Sequence, residues 1–343
     1  MSRRMRTALS VLLVAGSVLM AVASLAVGSA DVSFREAWDE WRSGIALQDA
    51  PALSVLVQQR LPRTLAALIV GGGLALAGCS FQAMLRNPLA TPYTLGVASA
   101  GALGAWTATI LVQGYGWSLS FLGPRPIQAL AFLFAALDMA VVYSLAARRS
   151  RLSPAVLLLA GVTMGMLANS GILLMRYLAD PARLVLMERW LMGGVDVIGY
   201  ADIKVLFIGV APCMLLLMLQ GSKFDQLGFG TEMAAGRGVN VPVLQVITFL
   251  VGSLMTAVIV SICGPIGFVG LIVPHAVRTI TGSRHRVLMP LSTIAGGAFL
   301  CLCDIIARRV VPGEFPIGIV TSLIGGPFFL YLLMRRRFTD WET

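Results

Sequence analysis

Residues 60–104, RLPRTLAALIVGGGLALAGCSFQAMLRNPLATPYTLGVASAGALG, decide the fold. Two apolar runs flank the short turn Asn87-Pro88-Leu89-Ala90-Thr91-Pro92, and Arg60 and Arg63 bracket Leu61-Pro62 ahead of the first run. About 20 apolar residues in a helix cross the hydrocarbon of a bilayer. Pro88 lacks the N–H that a continuing helix needs, so the chain must turn there. The stretch therefore reads as a helical hairpin through a membrane.

The rest of the chain extends that reading. Of its 343 residues 57% are hydrophobic and 12% charged, more apolar surface than one soluble core can hide. Only helices or closed barrels satisfy every backbone hydrogen bond in lipid, and long continuous apolar runs choose helices. The expected fold class is an all-α polytopic membrane protein, one transmembrane domain over residues 1–343 with about ten transmembrane helices. The runs fall at 8–30, 61–85, 94–112, 127–147, 154–176, 203–220, 242–263, 265–276, 287–307 and 316–334. Gly264-Pro265 divides the long run 243–274 in two. Read as one helix, it would put the two ends of the chain on opposite sides.

The net charge of +10 resides in clusters at the ends of apolar runs, which makes it a topology signal and not a nucleic-acid surface. With both ends cytoplasmic, 15 of the 26 Lys and Arg lie inside, including Arg148-Arg149 and Arg335-Arg336-Arg337, and the 11 outside face 11 acids. Gly28-Ser29-Ala30 resembles a signal cleavage site, but the run before it exceeds the roughly 7–15 residues of a signal core, so it reads as a retained first helix. Trp38 and Trp41 suit an interfacial helix in the outer loop. Asp180-Pro181 starts another, with Leu184, Val185, Met187, Trp190 and Leu191 along one face and an end at Gly193-Gly194.

The chemistry is sparse. Cys79, Cys213, Cys263, Cys301 and Cys303 all sit in apolar runs and read as buried thiols; two histidines, His275 and His285, do not make a metal site. No phosphate-binding loop, carboxylate pair or nucleophile with a base is present, so the chain is expected to be no enzyme and to draw its energy from another subunit. Asp138 is the one carboxylate well inside a run. It is either an interior group hydrogen-bonded to a polar neighbour or a transport residue, and a carrier driven alone by an ion gradient would need more such acids. Gly78 precedes Pro88, and Gly264 precedes Pro274, by the same ten residues, a faint internal echo.

These segments resemble the FecCD family of ABC importer permeases, the membrane subunits that import ferric siderophores, haem and vitamin B12. The resemblance implies the type II importer permease fold. Arg60-Leu61-Pro62-Arg63 is similar to an element at the family's outer mouth, where arginines meet acidic residues of a substrate-binding protein. Asp304-Ile-Ile-Ala-Arg308 ahead of Pro316-Ile-Gly318 is similar to a second. Binding-protein docking by Arg60, Arg63 and Arg308 follows from the resemblance, with Arg309 equally well placed, and lipid headgroup contact is the plainer reading. The Asn87-Pro88 turn resembles the cytoplasmic gate, with Asn87 and Leu89 as gate residues; a purely structural turn is the alternative.

The glycine-rich loop 221–241, helical in its middle at 231–235, resembles the segment that couples the permease to its ATPase. Gly230, Glu232, Ala234 and Gly238 match, small residues that let the partner approach, whereas Arg237 stands where the family pattern has leucine. The run from Cys263 to Arg278 is similar to a third motif, in which His275 is structural or faces the ATPase. The resemblance implies the permease subunit of an ATP-binding cassette importer in a bacterial inner membrane, carrying a ferric siderophore first, haem or cobalamin next. Its partners would be a second permease subunit, two cytoplasmic ATP-binding subunits and a periplasmic or lipid-anchored binding protein, with no nucleic acid. The chain itself would hold no cofactor, ATP and Mg being bound through the partner ATPase. An ion-coupled secondary transporter is the alternative, and a receptor or scaffold without transport is a third reading that needs no coupling loop.

Overall fold

The computed structural model describes residues 3–28, 32–123, 125–147, 154–179, 184, 188, 190–309 and 315–335. Its helices are α1 (Arg3–Ala26), α2 (Phe34–Arg42), α3 (Pro51–Ser54), α4 (Leu61–Leu85), α5 (Val97–Thr109), α6 (Pro126–Ala147), α7 (Pro154–Leu178), α8 (Ala201–Met218), α9 (Gly221–Leu227), α10 (Thr231–Gly236), α11 (Val241–Cys263), α12 (Val269–Thr281), α13 (His285–Arg309) and α14 (Ile317–Arg335). Seven are long and apolar enough to cross a membrane, and α5, α12 and α14 are shorter apolar helices, which together make the ten expected.

The bundle is arranged around α4. Of its most apolar window 83% is buried by the rest of the chain, against 11% for α1, so α4 is the axis and α1 lies at the periphery. Close packing on α4 depends on missing side chains. A Cβ at Gly71 would overlap the Gly296 carbonyl of α13, and one at Gly78 would overlap the Gly270 carbonyl of α12. Small residues let helices approach to backbone contact where lipid gives no hydrophobic drive to associate. The ten-residue echo is therefore not a structural repeat: Gly78 is a helix contact, whereas Gly264 is the chain break itself, with φ 66°.

That break separates α11 from α12 over residues 264–268, so the run 243–274 is two elements. The 13 residues of α12 rise only about 20 Å. Non-helical backbone at membrane depth is tolerated where it is buried in protein or lines a cavity. Ahead of α4, one wider helical turn over Val55–Arg60 leaves carbonyls for others: Gly199 N–H donates to Gln58 O at 2.9 Å and the Tyr200 hydroxyl to Val57 O at 2.8 Å.

Outside the bundle, α2 is capped by Ser33 with Glu36 returning to the Ser33 N–H, and presents Trp38 and Trp41, both exposed, with ring centroids 5.0 Å apart. Of the second interfacial helix, Asp180, Pro181, Val185 and Met187 lie outside the described residues, as do Arg148, Arg149, Arg336 and Arg337. Leu184, Trp190 and Leu191 pack on the α5 and α7 cluster of Ala102, Trp106 and Ile172. All five cysteines are buried and unpaired.

Candidate functional site

Three places along the α4 hairpin concentrate the chemistry. At its N-terminal end, α1 stops nearby with carbonyls free of helical partners, and arginines take them. Arg60, 4% exposed, donates through Nη1 to Leu25 O at 3.2 Å and Ala26 O at 3.0 Å. Arg308, also buried, donates to Val27 O at 2.7 Å and to Ser24 O and Oγ at 3.2 and 3.1 Å. Asp304, fully buried one turn before Arg308, pairs with it at 2.5 Å and accepts from Arg63 Nε at 2.9 Å. Arg63 also reaches Asp196 at 3.4 Å.

The guanidinium groups of Arg60 and Arg308 are thus engaged with carbonyls at the end of α1. Arg60 and Arg308 point into the protein, because a guanidinium fork beside bare helix-end carbonyls and a buried carboxylate is held there more firmly than in water. At this end of the bundle the Asp196 side chain beside Arg63 is 51% exposed, and Arg309 is exposed as well.

At its C-terminal end α4 closes on Arg86, whose φ of 50° is left-handed, and Asn87 N–H donates back to Gln82 O at 3.2 Å. Asn87 Oδ1 accepts from Leu89 N–H at 2.9 Å, an Asx turn that fixes the loop. Leu89 then borders an open cleft of about 370 Å³ with Leu74, Tyr93, Phe268, Leu271 and Phe329. The two residues have different tasks: Asn87 shapes the turn, and Leu89 faces the space.

The cleft's polar groups are already engaged. Thr91 and Thr94 bond to each other, with Thr94 Oγ1 donating to Thr91 O at 2.7 Å, and Tyr93 Oη accepts from Ile266 N–H at 2.7 Å. Behind it, Gln82 donates to Gly270 O at 3.1 Å and accepts from Arg278 at 3.4 Å, tying α4 to α12.

On the same side, α9 and α10 make two short helices between Gly221 and Gly236. Gly230 (φ 113°) and Gly238 (φ 85°) occupy backbone conformations that side chains disfavour, which explains their place at either end of α10. Ala234 is fully buried against its own chain, so its small size serves internal packing and not the approach of a partner. The outward face is Phe229, Glu232, Met233 and Arg237, with Phe229 62% and Met233 54% exposed and the Arg237 guanidinium 5.1 Å from the centre of the Phe229 ring. A second cavity, about 480 Å³, is lined both by Thr231 and Glu232 of α10 and by Arg86, which caps the end of α4. Asp225 of α9 accepts from the His285 backbone N–H at 2.5 Å, and the His285 Nδ1 lies 3.2 Å away, joining the loop to α13.

Asp138 is buried, as expected, but neither carboxyl oxygen has a hydrogen-bond partner, contrary to the expectation of a polar neighbour. Its Oδ1 lies beside Gly96, where α5 begins. His275 is half-buried next to Pro274. Gln82, Tyr93 and Asp225 carry no mark in the sequence, and His285 is marked there only as a histidine without a metal site; each is a lone polar group whose partner is 60 or more residues away in the chain.

Ten apolar helices, α11 and α12 among them as a broken pair, define a multi-pass membrane protein. The profile of the FecCD transport family matches residues 13–335, and the chain belongs to that family. It is an ABC transporter permease, a transport protein and not an enzyme, and this removes the ion-driven carrier. It is 34% identical to the Fe(3+) dicitrate transport system permease protein FecD of Escherichia coli, over 97% of this chain and 100% of that one. It is 33% identical to the hemin transport system permease protein HmuU of Yersinia pestis, over 93% of each, and 33% identical to the vitamin B12 import system permease protein BtuC of Vibrio cholerae, over 86% and 87%. A solved structure described as an inward-facing conformation of a metal-chelate type ABC transporter superposes with a TM-score of 0.79 at 30% identity, covering 96% of this chain and 100% of that one.

Proposed function

We propose that the chain imports a preformed metal chelate, a ferric siderophore first, with haem and cobalamin next, across a bacterial inner membrane. It does so with a second permease subunit, two cytoplasmic ATP-binding subunits that hold ATP and Mg, and a binding protein outside. The ends of the chain lie on the cytoplasmic side. The observation that supports this most is that Thr231 and Glu232 of α10 border the same cavity as Arg86 at the end of α4, which sets the coupling helix beside the gate turn. Phe229, Glu232 and Met233 carry the contact with the ATPase; Gly230 and Gly238 give α10 its orientation, and Ala234 seats it.

The substrate class rests on the cleft. The lining is mostly apolar, and its hydroxyls on Thr91, Tyr93 and Thr94 each take part in a hydrogen bond within the chain, a wall suited to an ion that travels inside its chelator. Three relatives of nearly equal identity are named for ferric dicitrate, hemin and vitamin B12, so identity does not choose among chelates. At the outer rim the binding protein rests on the Arg63 and Asp196 corner, while Arg60 and Arg308 support that rim by fixing α1.

The test is to purify a tagged chain in mild detergent, identify the ATP-binding subunit that accompanies it, and measure hydrolysis with the binding protein loaded in turn with ferric siderophore, haem and cobalamin. Co-purification, with the largest stimulation by ferric siderophore, is the expected result. Greater stimulation by another chelate overturns the substrate order, and absence of any ATPase overturns the importer reading.

A further inference from the structure

Two irregular segments face each other across the 370 Å³ cleft, the gate turn with its Pro92–Leu95 helical turn, and the break at 264–268. Within the break Phe268 has φ 65° and ψ −26°. A bulky aromatic residue seldom adopts a positive φ, and such a conformation persists only where its surroundings over-determine it.

The surroundings do so from three directions. Ile266, fully buried, donates its N–H to Tyr93 Oη at 2.7 Å. Leu271 and Ile272 donate to Phe268 O at 3.0 and 2.9 Å, which makes Phe268 the residue from which α12 starts. Gly325 of α14 lies so close that a Cβ there would stand 2.5 Å from Phe268 Cβ and Cγ. The Tyr93 side is equally fixed, by the Thr91 and Thr94 capping pair and by Gly96 at φ 86°.

We propose that Tyr93 and Phe268 form a latch that joins the gate turn to the broken segment, so that the two walls of the cleft move as one body. The proposal rests on the importer reading above. Tyr93 is a positioning residue: its hydroxyl holds Ile266, Ile266 holds the left-handed backbone at Phe268, and Phe268 sets where α12 begins. Without the hydroxyl the Ile266 N–H is buried and unsatisfied, and Phe268 is released to turn toward the ordinary helical region, which swings its ring off Gly325.

The experiment uses the complete transporter reconstituted in liposomes, with a radio-iron-loaded hydroxamate siderophore as probe. ATP hydrolysis and uptake are measured for the wild type, Tyr93→Phe and Phe268→Gly. Glycine tolerates the positive φ, so the second variant keeps the backbone and loses only the ring. In parallel, Leu89→Cys is introduced into each background and labelled with a membrane-impermeant maleimide, with and without ATP. Hydrolysis in Tyr93→Phe is expected to stay within about twofold of wild type while uptake per ATP falls about five- to tenfold. Labelling at position 89 is expected to lose its dependence on ATP, and Phe268→Gly to shift both readouts in the same direction.

Unchanged uptake per ATP with ATP-dependent labelling retained in both variants overturns the latch. If the wild type shows no ATP-driven uptake, the importer reading has failed by itself. The latch is then judged on labelling without nucleotide: a changed rate at position 89 in Tyr93→Phe supports it, and an unchanged rate overturns it.

Discussion

Arg63 of α4 donates its Nε to Asp304 of α13 at 2.9 Å, across 241 residues of chain, and Asp304 has no exposed surface. Removing one member of a buried pair leaves the other charge without compensation, at a cost of about 3–5 kcal/mol. Asp304→Ala is therefore expected to lower the yield of folded, detergent-extractable protein sharply. Thermal unfolding followed by size-exclusion chromatography checks this. An Asp304→Ala protein as stable as wild type would contradict the assignment of Arg63 and Arg308 to this site.

Gly78 and Gly270 bring α4 and α12 to backbone contact, and Gly71 and Gly296 do the same for α4 and α13. Gly78→Leu is expected to cost more than the roughly 1–3 kcal/mol of ordinary overpacking, since backbone and not a movable side chain blocks it. Gly326, with open space around its Cβ position, is the control, and Gly326→Ala should leave the unfolding temperature near wild type.

On α10, Ala234 and Met233 should separate fold from function. Ala234→Trp must displace its own chain and is expected to destabilise the loop, seen as faster proteolysis between residues 221 and 241. Met233→Ala touches only the outward face and should leave proteolysis unchanged. It should weaken retention of the ATP-binding subunit by about tenfold, as loss of one central apolar contact does at many interfaces. The reverse pattern would place the contact elsewhere.

Asp138 lacks a hydrogen-bond partner for either carboxyl oxygen. An unsatisfied buried polar group is costly, and an isosteric apolar replacement is neutral or stabilising. Asp138→Leu is accordingly expected to unfold at the same temperature as wild type or higher, by up to about 2 kcal/mol of added stability. A stability gain together with lost uptake would identify Asp138 as a transport residue kept at the expense of stability.

Much of the fold was legible because run length and proline placement act locally. The hydrophobic runs place eight of the spans within three residues of α4 to α8, α11, α13 and α14, those for α1 and α12 being shifted by four or five, and Asn87-Pro88 marked the turn through chemistry contained in the turn itself. The sites were less legible, for a geometric reason. An arginine at a helix end looks the same in sequence whether its guanidinium goes to lipid headgroups or, as Arg60 does, to carbonyls 34 residues away. Helix α10, with six residues, has too few turns for periodicity to show that Ala234 faces inward. The bond from Ile266 to Tyr93 spans 173 residues and leaves no local mark at all.

The clamp on α1 also sets an order of events during synthesis. This helix is made before α13, and the carbonyl of Val27 meets Arg308 only after a further 281 residues have been made. Until α13 enters the bilayer, α1 has some of its end carbonyls unclaimed and little of its surface covered, so it is inserted early and secured late. A nascent chain arrested before α13 would thus leave α1 loosely held, and synthesis of α13 becomes the condition for securing it.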